Sequence, residues 1–510
     1  MKKTTLRASA ALLAGALVAF SALFPAAVFA GAKRDEGATA QSTQNQTAKQ
    51  AKYVFLFIGD GMAMPQISAT EVFATARNSK DITAKKLGFS QFPVAGLTTT
   101  YDAKTFITDS ASAGTAIASG NKNESGVINM DLTKTVKFKT IAEYAHESGR
   151  KVGVITSVSL DHATPACFYA KEPSRGNYYN IAVQLAQSKF EFFGGGGFLQ
   201  PTGKNKDQKD VVEIAKENGF TYVNSKADFP ALKPGAGKVL AVNSVLQDSS
   251  ALPYEIDRAK DDLALADYTR KAIELLSDDP EGFFIMVEGG KVDWACHAND
   301  AAASIMDTLA FDNAVSEAIA FAEKHPEDTL IVVTGDHETG GMTLGFAGTK
   351  YSTAFDKIAA QKMSYVAFGD KVLTPYKKSV DKSKAKLDDL LPAIEDAFGL
   401  KYDSLTALQK DELAVAFQRS IGNEVVRPVQ EDQYLLYGGY EPLTVKITQI
   451  VNQNAGLGWT SYSHTGVPVA TFARGAGQEL FAGYYDNTDI FRKLASVLGV
   501  SVNTTVASSK

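Results

Sequence analysis

Apolar residues fall into short unbroken runs separated by longer periodic stretches. Tyr53-Val54-Phe55-Leu56-Phe57-Ile58 is continuously apolar and stops at Gly59-Asp60-Gly61. Comparable runs occupy 151–156, 282–287 and 329–334, each ending in Gly, Asp, Glu or Ser. A run with no alternation predicts a strand buried on both faces, as in a parallel sheet. Helical patterns lie between the runs, at 141–148, 261–276 and 299–324. Strand–helix alternation predicts an open, mostly parallel α/β sheet. Ligands in such sheets bind beyond the C-terminal strand ends, so the polar residues just after each run carry the functional interest.

From about Phe346 to Gly458 the alternation fades. Helical stretches at 387–398 and 405–419 stand among many polar residues, which predicts an insertion beside the main sheet. A strand-like run returns at 467–472, followed by a closing helix at 491–498. No short-period repeat is present.

The N-terminus has a different character. Met1 to Arg7 is basic, Ala10 to Phe29 is almost wholly apolar, and Val28-Phe29-Ala30 offers small residues at the peptidase positions. Residues 1–30 read as a secretory signal peptide cleaved after Ala30, which predicts an exported protein, periplasmic or secreted. The stretch is also long enough to span a membrane if tilted, but no other run is, so no stable span is expected after cleavage. Residues 31–50 have no periodicity and read as a flexible leader.

Composition changes this picture little. The chain has 510 residues, 45% hydrophobic and 21% charged, which is ordinary globular material. Formal net charge is −5; loss of Lys2, Lys3 and Arg7 from the 52 basic residues leaves 49 against 57 acidic, about −8 for the mature chain. That balance argues against nucleic acid or an anionic membrane as a partner. The two cysteines, Cys167 and Cys296, could form one bridge in an oxidising compartment. One pair is not a disulfide framework, and they read as two free, buried thiols.

The strand ends collect a carboxylate- and imidazole-rich set. Asp60 follows the first run, Asp161, His162 and Thr164 the second, Glu288, Asp293 and His297 the third, and Asp336-His337 the fourth; His464 precedes the last strand. So many carboxylates in one cleft would repel each other unless metal ions held them. Mixed Asp/His ligation suits zinc, and carboxylate with hydroxyl suits magnesium. Asp293 and His297, four apart, share a helix face. His146 and His325 sit in polar helix-end contexts and are assigned to solvent.

Ser110, in Thr108-Asp109-Ser110-Ala111, precedes small helix-compatible residues. At a helix N-terminus it would meet free N–H groups that favour an anion. The alternative is that Asp109 or Ser110 merely caps the helix. No Gly-x-Ser-x-Gly elbow surrounds Ser110, so activation would fall to a base or a metal. Arg175 offers a planar fork for two phosphate oxygens.

These segments resemble alkaline phosphatases. The resemblance rests on Ile58-Gly59-Asp60-Gly61-Met62, Thr108-Asp109-Ser110-Ala111, Ala163-Thr164-Pro165, Val287-Glu288-Gly289, Asp293 with His297, Asp336-His337-Glu338-Thr339-Gly340-Gly341, and His464-Thr465-Gly466. It runs in the family's order from about Tyr53 to Leu498 and is weakest over 346–458. It implies a three-layer α/β sandwich with a central mostly parallel sheet, formed by 51–345 and 459–510, with a crown-like insertion at 346–458. It implies two zinc ions, one on Asp293, His297 and His464 and one on Asp60, Asp336 and His337. A third site, normally magnesium, would be shared by Asp60 and completed by Thr164 and Glu288. Catalysis would use Ser110 as nucleophile and Arg175 as phosphate clamp, through a phosphoserine. Substrates would be small phosphate monoesters, with broad specificity and an alkaline optimum, and the assembly a homodimer.

Two positions depart from the best-known enterobacterial pattern. His162 replaces an aspartate near the magnesium site, and Trp294 replaces a lysine near the phosphate; the pair is like that of some marine and cold-adapted members. An imidazole prefers softer metals, which weakens the expectation of magnesium. Trp294 removes a cation, which predicts faster phosphate release. Two rival readings are a related hydrolase of phosphodiesters, phosphonates or sulfate esters, and a non-catalytic phosphate-binding protein. The first is disfavoured by Arg175, Ser110 and the three-site ligand set. The second would need neither nucleophile nor metals.

Overall fold

The computed structural model describes residues 49–77, 82–423, 425 and 433–502. The signal-peptide reading, and the leader up to residue 48, lie outside the described residues. Ten strands form the main sheet: β1 Tyr53–Gly59, β2 Val94–Thr99, β3 Lys151–Thr156, β4 Phe192–Gly195, β5 Phe220–Val223, β6 Lys238–Val242, β7 Phe283–Gly289, β8 Thr329–Gly335, β9 Val469–Gly475 and β10 Gly483–Asp486. Their order is β10-β2-β9-β8-β1-β7-β3-β4-β6-β5. Every pairing is parallel except those of β9, which runs antiparallel to both β2 and β8. The sheet is therefore mostly parallel, as the unbroken runs predicted.

All seven β1 residues are buried, and their side chains alternate between two cores. Val54, Leu56 and Ile58 pack with Ile117, Phe168 and Leu494 on one face. Tyr53, Phe55 and Phe57 pack with Phe283, Phe311 and Phe321 on the other. Each such side chain contributes on the order of 1.5–3 kcal/mol by leaving water. Helices thus cover both faces, which makes the three layers. The helical pattern at 299–324 includes helix Ala301–Ala322, and Asp293 and His297 lie on a separate short helix, Lys291–His297.

The sequence runs located the central strands and missed shorter ones. β4 is four residues and ends in two glycines, and β2 is half polar, so neither gives a continuous apolar signal. Between Phe355 and Ala455 helices dominate, and their apolar faces build a third core with Ala69, Phe73 and Ile305. Cys167 and Cys296 are both buried and unbridged. His146 and His325 are half-buried rather than solvent-borne. His325 rests 4.5 Å from the Phe321 ring, and His146 is 3.3 Å from a Glu191 carboxylate oxygen.

Candidate active site

β1, β7 and β8 lie side by side in register, with Gly59 opposite both Gly289 and Gly335. The three strands therefore end together, and Asp60, Glu288 and Asp336 emerge at one edge. The closeness depends on glycine: a Cβ on Gly335 would fall 2.2 Å from the Met62 carbonyl oxygen. Gly61 turns with φ +69°, where a Cβ would press on the Asp293 backbone at 2.9 Å. The chain can thus bring Asp293 against the β1 end.

Three overlapping groups of side chains result. Asp60, Asp336 and His337 form one, Asp293, His337 and His464 another, and Asp60, His162 and Glu288 the third; in each the ligand-type atoms lie within 4.8 Å of one another. His337 Nε2 is 3.4 Å from Asp60 Oδ1 and 3.4 Å from Asp336 Oδ2. His297 Nε2 stands 3.3 Å from Asp293 Oδ2 and 3.2 Å from His464 Nε2. Thr164 Oγ1 donates to Asp60 Oδ2 at 3.4 Å, and Thr156 to Glu288. The carboxylates and imidazoles expected on sequence grounds, apart from Asp161, therefore lie close together at one edge. Asp161 alone of the strand-end set turns away, accepting the Leu199 N–H at 2.9 Å.

The electrostatics are those of groups that could hold a cation. Burial, then the charges of Asp336, Asp293 and Glu288, push Asp60 well above the usual carboxylate range. Burial, then Asp293, does the same to Asp336. Burial raises Glu288 to about 7. Asp60 Oδ1, Asp336 Oδ2 and Glu288 Oε1 are buried with no hydrogen-bond partner, as is His162 Nδ1. A buried oxygen with no donor is costly, and several converging on one point suit a cation.

The imidazoles agree. His464 Nδ1 donates to the Thr108 carbonyl at 2.8 Å and His297 Nδ1 to the Tyr462 carbonyl at 2.5 Å. Those bonds place a proton on each Nδ1 and turn the two Nε2 atoms toward each other. Asp293 is buried too, but nearby His297, His464 and His337 outweigh that and hold it well below the usual range. Burial opposes protonation of His297, yet Asp293 raises it to about 9. Burial and the Arg175 charge push His162 down to about 3.

Ser110 opens the helix Ser110–Ser119, capped by Asp109, whose side chain accepts the Ser112 N–H at 3.0 Å. The capping role therefore belongs to Asp109. Ser110 Oγ lies 3.2 Å from His337 Nε2. Arg175 donates from Nη1 to Asp109 at 2.9 Å, and its Nη2 is 3.3 Å from His162 Nε2. Ser110, Arg175 and Trp294 line one opening of about 300 Å³ with His162, His297 and His464. Among the described residues its mouth also holds Asp248, Ser249, Tyr365 and Tyr440, to which no motif drew attention. Sequence reasoning also missed Thr339, which donates to Asp293, and the role of Glu338, which accepts from Gln66, Gly341, Met342 and Thr465. Both stand inside the Asp336–Gly341 segment, so their adjacency to His337 was the available signal.

The alkaline phosphatase family model matches residues 51–500. The chain belongs to the alkaline phosphatase family. Alkaline phosphatase 3 of Bacillus subtilis (strain 168) is 31% identical over 475 residues, covering 91% of this chain and 93% of that protein. The cold-active alkaline phosphatase of the psychrophile Shewanella sp. superposes with a TM-score of 0.72 at 28% identity, covering 88% of this chain and 99% of that one. A histidine-to-aspartate variant of the enzyme from the Antarctic bacterium TAB5, with Mg bound in its M3 site, gives 0.61 at 29% identity, covering 89% and 100%. As an alkaline phosphatase the chain is a hydrolase of phosphate monoesters.

Proposed function

We propose that hydrolysis proceeds through a phosphoserine on Ser110. The observation that carries this reading is Ser110 Oγ at the start of a buried helix, relieved of capping by Asp109 and facing His337 Nε2 at 3.2 Å. The free N–H groups of the first helical turn and the Arg175 guanidinium orient the phosphoryl oxygens. Asp109 and the cluster around it hold Arg175 in place. The Ser110 oxygen attacks phosphorus in line, and the bond to the alcohol oxygen breaks as the new one forms. Water then displaces Ser110 from phosphorus, which restores the hydroxyl and releases inorganic phosphate.

Two zinc ions would be held by Asp293, His297 and His464 and by Asp60, Asp336 and His337. A third cation would be held by Asp60, Thr164 and Glu288 beside His162. When bound, such cations lower the pKa of a hydroxyl and neutralise charge on the attacking and leaving oxygens. His162 makes the third site less suited to magnesium. Metal analysis tests this: magnesium content should rise in His162→Asp, and two zinc and one magnesium in the unaltered protein would overturn it. Export, a homodimer and broad specificity belong to the same reading.

Ser110→Ala, assayed beside the unaltered protein with and without zinc, is the deciding experiment. We expect loss of at least about a thousandfold in kcat, the scale seen when a nucleophile is removed. Full activity in that variant would remove the covalent route.

A further inference from the structure

The mouth of the site has a composition that the phosphoryl chemistry does not need. Residues 247–251 form a tight loop in which Gln247 and Ala251 exchange backbone hydrogen bonds of 2.9 and 3.0 Å. Asp248, Ser249 and Ser250 between them all have positive φ, 40°, 53° and 60°. Three consecutive non-glycine residues in the left-handed region are strained, and such strain persists only where the surroundings impose it. Here they do. Gly197 donates to the Ser250 carbonyl at 2.8 Å, and the Gln247 side chain bonds both Asp257 and the Tyr254 N–H at 2.9 Å. The consequence is that Asp248 and Ser249 stand on the rim of the opening that contains Ser110.

Three aromatic side chains line the same opening. Tyr365 and Tyr440 meet edge to face with centroids 5.8 Å apart, and Trp294 and Tyr365 pack on the same small cluster around Tyr254. All three rings are half-buried and line the opening. One Asp248 oxygen is 3.5 Å from Lys291 Nζ, and the Asp248 side chain keeps 24% of its surface exposed while Lys291 keeps none. Lys291 is committed to Asp248 and to the Tyr254 and Trp294 rings, whose centroids lie 3.5 and 4.7 Å from its Nζ. Arg175 is paired with Asp109 and serves the phosphoryl end. Asp248, ion-paired to Lys291 but still part-exposed, is therefore the carboxylate that lines the opening together with the three rings.

A carboxylate with tyrosine and tryptophan faces is the arrangement that binds an alkylated ammonium. We propose that this rim is a leaving-group subsite for cationic alcohols, so that monoesters of ammonium-bearing alcohols are preferred substrates. The inference rests on the reading that Ser110 and Arg175 handle the phosphoryl group.

The test compares choline phosphate with 3,3-dimethylbutyl phosphate, which has the same shape without the charge, on the metal-replete enzyme. We expect kcat/KM to favour the cationic ester by on the order of tenfold, the scale of a partly desolvated cation–π contact. Asp248→Asn keeps a residue that tolerates positive φ, and Tyr440→Leu removes a ring. In each the ratio of the two kcat/KM values should fall towards one, and because it is a ratio, a general loss of folded enzyme does not move it. Equal rates for the two esters, or a preference that survives both substitutions, would overturn the subsite alone. Failure to hydrolyse either ester would overturn the phosphoryl reading with it.

Discussion

The site has two halves that meet at His337, and they solve the problem of buried charge differently. The deep half contains Asp60, Glu288 and Asp336, all at zero or 1% exposure, with an unpartnered oxygen on each. The shallow half contains Asp293, His297 and His464, whose side chains are 4%, 24% and 12% exposed. There the single carboxylate faces two imidazoles and a threonine hydroxyl, so the group is largely self-neutralised. Parallel strands ending together give the first half, and a helix and a loop meeting give the second. The difference teaches that the deep half leaves buried charge uncompensated by the protein, while the shallow half compensates its own carboxylate with imidazoles.

Removing metal should separate the halves most sharply. Chelation is expected to abolish activity and to lower the melting temperature; ligand loss of this kind is worth about 4 kcal/mol when metal stands a thousandfold above its Kd. The metal-free protein should also lose stability as pH rises. A carboxyl whose pKa is higher folded than unfolded stabilises the fold while protonated and ceases to as pH passes the folded value. For Glu288 that window runs from 4.5 to about 7. His297 is likewise raised, so its contribution is complete below 6.5 and lost by about 9. His162, His337 and His464 are held below the usual imidazole range and act in the opposite sense up to 6.5, so it is from pH 7 to 9 that melting temperatures of the chelated protein should fall. A chelated protein that melts at one temperature throughout would break the comparison.

Asp336→Asn should have opposite effects with and without metal. It removes one of the crowded charges and places an amide near Asp60 Oδ1 and His337, so the chelated variant should melt a few degrees higher than the chelated parent. With metal supplied, it should be less stable than the parent and lose activity by orders of magnitude. A lower melting temperature in both states would show that the deep carboxylates do not repel.

Glu338→Gln tests the join between the halves. Glu338 is buried and accepts from Gln66, Gly341, Met342 and Thr465, next to the short pairing of Glu338–Thr339 with His464–Thr465. An amide in its place would turn a donor toward donors and loosen His337 and His464 together. Zinc affinity by competition titration should fall about ten- to a hundredfold, the usual range for a group that orients metal ligands. Unchanged affinity would mean that the two imidazoles are held independently.

The smallest effect is expected at the rim of the shallow half. Trp294→Lys adds a cation beside the phosphate position, and inorganic phosphate should inhibit a few-fold more strongly. An inhibition constant equal to the parent's would count against the faster-release role of Trp294.

The four central runs were legible because a strand buried on both faces must be apolar at every position, and β1, β3, β7 and β8 stand within two residues of their predicted bounds. The cluster of carboxylates and imidazoles was legible for the same reason, since in such a sheet only strand ends are free to be polar. β2, β4, β5, β6 and β10 were not, because short, glycine-bearing or half-exposed strands carry no unbroken pattern.

By itself, then, the sequence determined the sheet type, the edge that carries chemistry and the residues that gather there. Periodicity and strand-end polarity are local properties, written in neighbouring residues. Tertiary structure alone decided that Asp109 rather than Ser110 caps the helix, that Tyr462 and Thr108 carbonyls orient the imidazoles, and that Asp248, Tyr365 and Tyr440 share the mouth with Ser110. Those are contacts between distant segments, set by how strands register and cores close, and no local pattern encodes them.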